Sequence, residues 1–269
     1  MKLALAQLQI EPGDRSGNRR RGVEAIGRAA DAGADLVVLP ELFTVGYFAF
    51  DAYARSAEPL GGETLGRLAE VAADNDVAVL AGSIVEDLAE SAAVGHEVPA
   101  EDGYANTAVF LDRDGERRAV YRKHHLFGYA SAESELLMAG ERLPTVDFEG
   151  FVVGITTCYD LRFPELYRRL VDAGTTLTLV PSAWPYPRVE HWQLLPRARA
   201  VENLMYVAAA NGTGSFDEAD LLGRSTVYDP WGTTVASTDD APDIVTATLD
   251  PERVANRRAK FPALQDQRR

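Results

Sequence analysis

The stretch Val152–Leu166, with the sequence VVGITTCYDLRFPEL, decides how we interpret the rest of the chain. Its first part is apolar and β-branched, which is typical of a buried strand. Pro164 and Glu165 are typical of the first turn of a helix. The turn between them carries Cys158, the one cysteine of the chain. Backbone N–H groups at a helix N-terminus favour a thiolate and can hold an oxyanion, so this turn is a candidate nucleophile site.

Two further stretches place charged side chains at the ends of predicted strands. Glu41 follows the apolar run Leu36–Leu39 and Pro40, and Lys123 follows the predicted strand 117–122. A thiol, a carboxylate and an ammonium group that meet at strand ends can act together on a carbonyl. The combination therefore favours catalysis by covalent attack.

Each of the three side chains also has an ordinary structural interpretation. Cys158 could be a small buried hydrophobe, since free cysteines are among the most buried residues. Glu41 could cap a helix or join an ion pair, and Lys123 could be a surface charge after a hairpin. The joint occurrence of the three outweighs these separate interpretations.

Composition limits the class of protein. The chain has 269 residues, of which 46% are hydrophobic, enough for one large α/β domain. No apolar run is long enough for a membrane span, and the N-terminus lacks the features of a signal peptide. The net charge of −14 disfavours nucleic acid and anionic membranes as partners. A single cysteine fits a reducing cytoplasm.

The hydrophobic pattern mixes strands, helices and hairpins. Strands are predicted at 2–9, 36–39, 77–85, 104–111, 117–122, 145–148, 152–156, 176–180, 205–211, 223–229, 233–238 and 243–249. Helices are predicted at 18–32, after Gly62 to about Asn75, after Pro164, at 191–204 with Pro196 inside, and from Pro251. Residues 88–103 are interpreted as a surface loop. The mixture predicts an α/β (α+β) fold with helices covering sheets, in a single domain over residues 1–269 with an extended tail from about residue 261.

Several motifs, found in this order, resemble the nitrilase or carbon–nitrogen hydrolase superfamily. They are Leu39–Phe43, Tyr121–Phe127 and Cys158–Leu166, with supporting matches at Ala132–Ser134, His191-Trp192, Arg197–Asn203 and Asp229–Gly232. The resemblance covers most of the chain and implies a four-layer α-β-β-α sandwich. It also implies that Glu41, Lys123 and Cys158 are catalytic, with Glu133 as a second glutamate. Glu135 is the alternative for that last role, because the connection after Lys123 varies in length.

The chemistry implied by the resemblance is hydrolysis through a thioester. Glu41 takes the thiol proton of Cys158, which attacks the carbonyl carbon, while Lys123 and the N–H of Tyr159 hold the oxyanion. We expect the substrate pocket to be walled by aromatic side chains and the segment after the strand 176–180. The candidate binding residues are Tyr159, Tyr47, Phe127, Ala183 and Trp184, with Tyr186 as a further wall residue.

Two other groups of residues in the sequence suggest further roles. His124, His125 and Cys158 could suggest zinc, but adjacent residues of an extended segment point to opposite faces, so we expect neither metal nor cofactor. Arg162 and Glu165 are predicted to form an ion pair that braces the turn after Cys158, in preference to a role in binding substrate.

The sequence beside the nucleophile favours an amide as substrate. Nitrilases usually have Cys-Trp-Glu here, whereas Cys158-Tyr159-Asp160 resembles the amidase branch that includes ω-amidases. The alternatives are a nitrilase, an N-carbamoyl-amino-acid hydrolase, or a non-catalytic binding module of the same fold. The intact set of Glu41, Lys123 and Cys158 disfavours the binding module. The resemblance also implies a homodimer or a larger even homo-oligomer, with a small-molecule amide as substrate.

Overall fold

Two mixed six-stranded sheets form the centre of the structure, a computed structural model that describes residues 1–129 and 131–268. The strands are β1 (Lys2–Gln7), β2 (Leu36–Val38), β3 (Ala78–Asp87), β4 (Tyr104–Leu111), β5 (Arg117–Arg122), β6 (Thr145–Phe148), β7 (Phe151–Ile155), β8 (Leu177–Ser182), β9 (Tyr206–Asn211), β10 (Thr213–Ser215), β11 (Asp220–Leu222), β12 (Thr226–Tyr228), β13 (Thr234–Ser237) and β14 (Asp243–Thr248). The α-helices are α1 (Arg15–Asp31), α2 (Tyr53–Ser56), α3 (Glu63–Asp74), α4 (Leu88–Ala93), α5 (Glu133–Leu136), α6 (Pro164–Asp172), α7 (Val189–Asn203) and α8 (Pro251–Lys260).

The two sheets follow the same plan. The first has the order β14-β1-β2-β3-β4-β5 and the second the order β13-β12-β9-β8-β7-β6. In each sheet three central strands are parallel, β1 to β3 in one and β7 to β9 in the other, and the outer strands are antiparallel. Ligand sites of such sheets lie beyond the carboxyl ends of the parallel strands. The segments that follow β2, β7 and β8 are therefore the place to look for a site.

Alternating side chains on the strands produce four layers. Leu3 and Leu5 of β1 lie in one buried cluster with Val153 and Ile155 of β7, between the two sheets. The alternate residues of β1 pack instead with residues of α1 and α3, because successive strand side chains point to opposite faces. Helices α6 and α7 cover the outer face of the second sheet. The four-layer α-β-β-α sandwich predicted from the sequence is confirmed.

One predicted loop is partly helical. Residues 88–103 begin with helix α4, which starts after Asp87. The Asp87 carboxylate accepts the N–H of Glu90 at 2.9 Å, which is a helix N-cap, and Leu88 is buried. The alanine-rich composition that we interpreted as a loop is a good helix former once it is capped and packed.

Other differences lie near the C-terminus. The predicted strand 223–229 begins only at Thr226, because Gly223 and Arg224 have φ values of +63° and +56°, which no regular strand allows. The predicted extended tail contains a 3₁₀ turn at Ala263–Asp266. The ring of Phe261 packs against Trp231 with centroids 5.7 Å apart, which holds the start of the tail on the protein.

Helix α7 begins two residues earlier than predicted, at Val189, and continues through Pro196. Within the described residues, no helix is both long and apolar enough to cross a bilayer.

Candidate active site

Four side chains from four segments meet at one end of the two sheets. Glu41 follows β2, Lys123 follows β5, Glu133 begins α5, and Cys158 lies in the turn after β7. Glu41 and Glu133 are fully buried, and Cys158 is only 8% exposed. Glu135, the alternative second glutamate, is exposed on the outer side of the same helical turn. The structure therefore brings together the four residues that the sequence predicted and leaves Glu135 out.

Lys123 lies between the two carboxylates. Its Nζ donates to Glu41 Oε1 at 2.8 Å and to the two oxygens of Glu133 at 2.8 and 2.9 Å. Glu133 Oε2 also accepts the hydroxyl of Tyr47 at 3.0 Å and the N–H of Phe127 at 2.7 Å. Glu133 is thus surrounded by donors, as expected of a fixed counter-ion rather than a base.

Glu41 has a different environment. Its Oε2 accepts the N–H of Ala183 at 2.9 Å, and its Oε1 accepts from Lys123 and from Asn106 at 2.8 Å. Its carboxylate also contacts the thiol of Cys158. Glu41 is therefore the carboxylate that can exchange a proton with the nucleophile.

Burial disfavours the charged forms of both Glu41 and Lys123. Burial raises the pKa of Glu41, and the charge of Lys123 offsets only part of that effect. For Lys123, burial acts to lower the pKa, but the charges of Glu133 and Glu41 outweigh it and hold the pKa well above its ordinary value. The ammonium group is therefore charged throughout the neutral pH range.

The pKa of the Cys158 thiol is raised, whereas a helix N-terminus was expected to favour the thiolate. Burial raises the pKa of Cys158 well above its ordinary value, and the charge of Glu41 adds to the effect. The chain after the cysteine forms a short 3₁₀ helix, Cys158–Arg162, before α6 begins. The resting nucleophile is therefore a neutral thiol, because desolvation and a nearby carboxylate outweigh the stabilising backbone groups.

The turn that carries Cys158 is strained and held from two sides. Cys158 has a φ of +45°, which is uncommon for a residue with a side chain. Asp160 accepts the N–H of Thr157 at 2.9 Å and the N–H of His125 at 3.0 Å. Arg199 of α7 donates to the carbonyl of Leu161 at 3.0 Å from Nε and at 2.7 Å from Nη2. These bonds tie the nucleophile turn to the Lys123 segment and to α7.

A small, partly open pocket leads to the thiol. All five predicted binding residues line it, together with Lys123, Cys158 and four residues that we did not predict as binding residues. The predicted set is Tyr47, Phe127, Tyr159, Ala183 and Trp184, and the additional four are Phe48, Arg162, Pro185 and Arg188. Tyr186 does not line the pocket, since its hydroxyl donates to Asp240 on the surface at 2.7 Å.

The predicted ion pair between Arg162 and Glu165 is wrong. The guanidinium of Arg162 donates to His191 Nδ1 at 3.1 Å and lies over the rings of Tyr159 and Trp184, 5.8 and 5.2 Å from the ring centres. Arg188 lies over Phe127 at 5.6 Å. Within the described part of the chain, neither guanidinium pairs with a carboxylate. Glu165 points to solvent because it lies on the exposed side of the first turn of α6.

Asn106 is a buried member of the cluster that we did not single out from the sequence. It lies on β4 and donates to Glu41 and Glu133. The signal was present, since Asn106 and Thr107 are polar residues within an otherwise apolar buried strand. The zinc alternative has no support from His125, whose Nδ1 bonds to Asp160 at 2.8 Å.

Comparison with known proteins agrees with this geometry. A family model described as carbon-nitrogen hydrolase matches residues 2–259. The chain is 39% identical over 239 residues to a 2-oxoglutaramate amidase of Paenarthrobacter nicotinovorans, covering 87% of this chain and 79% of that protein. It is 34% identical over 276 residues to the omega-amidase NIT2 of Homo sapiens, covering 99% of this chain and 95% of that protein.

Among solved structures, a mutant of an amidase from Nesterenkonia sp. AN1 matches with a TM-score of 0.80 and 30% identity, covering 98% of this chain and 99% of that one. In that structure acrylamide has added to the active-site cysteine. The match extends over the whole sandwich, and the predicted resemblance is confirmed. The chain belongs to the carbon–nitrogen hydrolase family.

Proposed function

We propose that this carbon–nitrogen hydrolase cleaves the terminal carboxamide of a small, carboxylate-bearing compound and releases ammonia. One observation carries the proposal: a buried thiol with a neighbouring carboxylate lies at the base of a small pocket that is also lined by two guanidinium groups without carboxylate partners among the described residues. The thiol and Glu41 supply the reaction. Arg162 and Arg188 supply the affinity for an anionic end.

The reaction begins with proton transfer. Glu41 accepts the thiol proton as Cys158 Sγ attacks the amide carbon, and the carbonyl oxygen becomes an oxyanion. Lys123 and the N–H of Tyr159 stabilise that oxyanion. In a measured case, one donor of this kind contributes roughly 3–4 kcal/mol to transition-state stabilisation. Glu41 then returns the proton to the departing nitrogen, so that ammonia leaves and a thioester remains.

The second half of the reaction uses the same base. Glu41 takes a proton from water, the resulting hydroxide attacks the thioester carbon, and the carbon–sulfur bond breaks. The proton held by Glu41 returns to the sulfur, which restores the thiol. Glu133 keeps Lys123 charged and in place throughout, since its own oxygens are occupied by donors.

The preference for an anionic substrate rests on local charge. The whole protein has a net charge of −14, which disfavours anions at long range. The pocket, however, is lined by Arg162 and Arg188, and both stack on aromatic rings that hold their guanidinium groups in place. Arginine recognises carboxylates through paired hydrogen bonds. The local groups therefore decide the preference.

A comparison of four substrates tests the proposal. We expect kcat/KM to be highest for 2-oxoglutaramate, lower for a neutral amide of equal length, and lowest for the two corresponding nitriles. A tenfold preference for the nitriles, about 1.4 kcal/mol at the transition state, would overturn the assignment to amides.

The arginines can be tested with the same pair of amides. Replacing Arg162 or Arg188 by glutamine should lower kcat/KM for the anionic amide by about 10- to 100-fold, the value of a hydrogen bond to a charged group. The neutral amide should be affected much less. An equal loss for both amides would show that these arginines do not recognise the carboxylate.

We also propose a single cytoplasmic domain that forms an even homo-oligomer. Strand β14, near the end of the chain, pairs with β1 at its start, which supports one domain. The single cysteine is consistent with a reducing compartment. Four exposed apolar residues, which we call the α7 patch, support self-association: Leu194, Val201, Trp231 and Phe261.

A further inference from the structure

Asn106 is buried between the two carboxylates of the site. Its Nδ2 donates to Glu41 Oε1 at 2.8 Å and to Glu133 Oε1 at 3.2 Å. An amide nitrogen carries two hydrogens, so both of its donors are used, one on each carboxylate. In the part of the chain that the structure describes, Lys123 is the other side chain that bonds to both carboxylates.

The backbone of Asn106 is tied to the same group. Its carbonyl accepts the N–H of Lys123 at 2.9 Å, where β4 and β5 run side by side. Asn106 therefore fixes Lys123 through the main chain and the two partners of Lys123 through the side chain. A displacement of this one residue would alter all three charged groups.

The acceptor end of Asn106 is unfavourable for stability. Its Oδ1 is buried and has no hydrogen-bond partner among the described residues. An unpaired buried acceptor lowers the stability of the folded protein. A 180° rotation of the side-chain amide would place Oδ1 against two carboxylate oxygens. The two carboxylates therefore fix the orientation of the Asn106 amide. The benefit of an asparagine here lies in its two donors.

The charges explain why a neutral donor suits this position. Glu41 and Glu133 share one ammonium group, so the cluster holds one more carboxylate than cation. A second cation would lock Glu41 in an ion pair and weaken it as a base. An apolar side chain would leave the two carboxylates with less stabilisation at short range. A double N–H donor stabilises both without neutralising either.

We propose that Asn106 is a positioning residue for the general base: it holds Glu41 and Glu133 apart around Lys123 and keeps Glu41 ionised beside Cys158. This inference rests on the proposed role of Glu41 as base. Asn106 does not line the pocket, so it acts through Glu41 and not on the substrate.

The consequence is a shift in pH dependence. The titratable groups that face Glu41 are Lys123, Glu133, Cys158 and, through Glu133, Tyr47. Removing the two donors of Asn106 removes stabilisation from both carboxylates, so Glu41 takes up a proton at a higher pH. Protonation of Glu41 should lower the rate at which Cys158 reacts at low pH, and we call this fall in rate the acid limb. In the Asn106 variants the midpoint of the acid limb should lie higher by roughly one pH unit, about the value of one hydrogen bond to a charged group.

Alkylation of Cys158 by iodoacetamide measures this limb separately from amide hydrolysis, because the sulfur attacks the CH2 carbon and displaces iodide. Rates from pH 4 to 9 would be compared for the native protein, Asn106→Leu, Asn106→Ala, Glu41→Gln and Asn18→Ala. Asn18 is a matched control because it is also buried, and its side-chain amide bonds to the main chain of Glu11 and Thr44 and to neither carboxylate of the site. Circular dichroism checks folding, and the alanine variant replaces the leucine variant if the latter does not fold.

We expect the midpoint of the acid limb to lie at a higher pH in the Asn106 variants than in the native protein. In Asn18→Ala it should lie at the native pH. An Asn106 limb at the native position, with all rates reduced by one factor, would mean a structural role only and would overturn it. If Glu41→Gln keeps the native limb, Glu41 is not the base, and the proposed mechanism fails together with this inference. If Glu41→Gln loses the native acid limb while the Asn106 variants keep it, the proposed mechanism stands and only this inference fails.

Discussion

At the scale of single residues, the central feature is a neutral thiol beside a buried carboxylate. Burial raises the pKa of both Cys158 and Glu41. A thiol in this state reacts when the carboxylate takes its proton during the attack. The nucleophile is therefore activated by its neighbour, and its reactivity should follow the ionisation of Glu41.

This pairing predicts the pH dependence of turnover. Because Glu41 must be ionised and burial raises its pKa, kcat/KM for a neutral amide should fall with decreasing pH at a midpoint above the ordinary glutamate value of about 4.3. Glu41→Gln should lose at least about 100-fold in kcat, the usual contribution of a general base. Steady-state kinetics from pH 4 to 9 measure both effects.

Glu135→Gln is the matched control for this experiment, since it removes an exposed carboxylate close to Glu133. Its kinetics should equal those of the native protein. Full activity in Glu41→Gln, or in Cys158→Ala, would contradict the mechanism.

At the scale of elements, an irregularity in β3 positions the general base. The pairing of β3 with β4 shifts register between Ala81 and Ile84. Inside this bulge, the Ser83 hydroxyl accepts the N–H of Leu42 at 2.8 Å. A Cβ built on Gly82 would lie 2.0 Å from the carbonyl oxygen of Pro40, so only glycine permits this close approach. The bulge therefore fixes the turn that carries Glu41.

Gly82→Ala should disturb that turn. The added methyl group must push Pro40 away, and Glu41 with it, so we expect kcat/KM to fall at least about tenfold and the free energy of unfolding to fall by about 1–3 kcal/mol. Kinetics and urea denaturation measure the two effects.

Gly27→Ala serves as the comparison for Gly82→Ala, because a Cβ at that helical position meets nothing within 4 Å. It should keep full activity and be as stable as the native protein or more so. Native kinetics in Gly82→Ala would show that the bulge does not set the position of Glu41.

At the scale of the whole molecule, the α7 patch is the feature that predicts assembly. Leu194 and Val201 of α7 are 63% and 45% exposed. The loop at Trp231 adjoins them, since a Cβ at Gly232 would lie 2.5 Å from Val201 Cγ2. Phe261 stacks on Trp231 and extends the surface. Apolar residues gathered in this way are typical of an interface between protein chains.

We expect light scattering at micromolar concentration to give an even multiple of the 29.2 kDa chain. The double variant Leu194→Lys/Val201→Lys should dissociate it, because two charges cannot be buried in an apolar interface without a large cost. Val94→Lys is the control, since Val94 is equally exposed but lies at the end of α4. A native monomer in both low and molar salt would refute the assembly.

The sequence by itself determined the fold and three members of the cluster. Apolar strands that lead into Glu41, Lys123 and Cys158 predict these side chains at strand ends, and the order of the motifs carries the family resemblance that implies their meeting. The hairpin at 104–122 was predicted with its observed bounds, since its alternating pattern and its Asp-Gly turn are local signals. Local chemistry of this kind can be obtained from the order of residues alone.

Only the tertiary structure decided the finer roles. Glu133 and Glu135 are two residues apart, and burial against Lys123 and Tyr47 separates them. Arg162 lines the pocket and does not pair with Glu165, because its guanidinium packs on Tyr159 of its own turn and on Trp184 from the segment after β8. The protonation of Cys158 depends on desolvation and on Glu41, which is more than 100 residues away in the chain. Charge, burial and hydrogen bonding at a site depend on distances in space, which the order of residues does not contain.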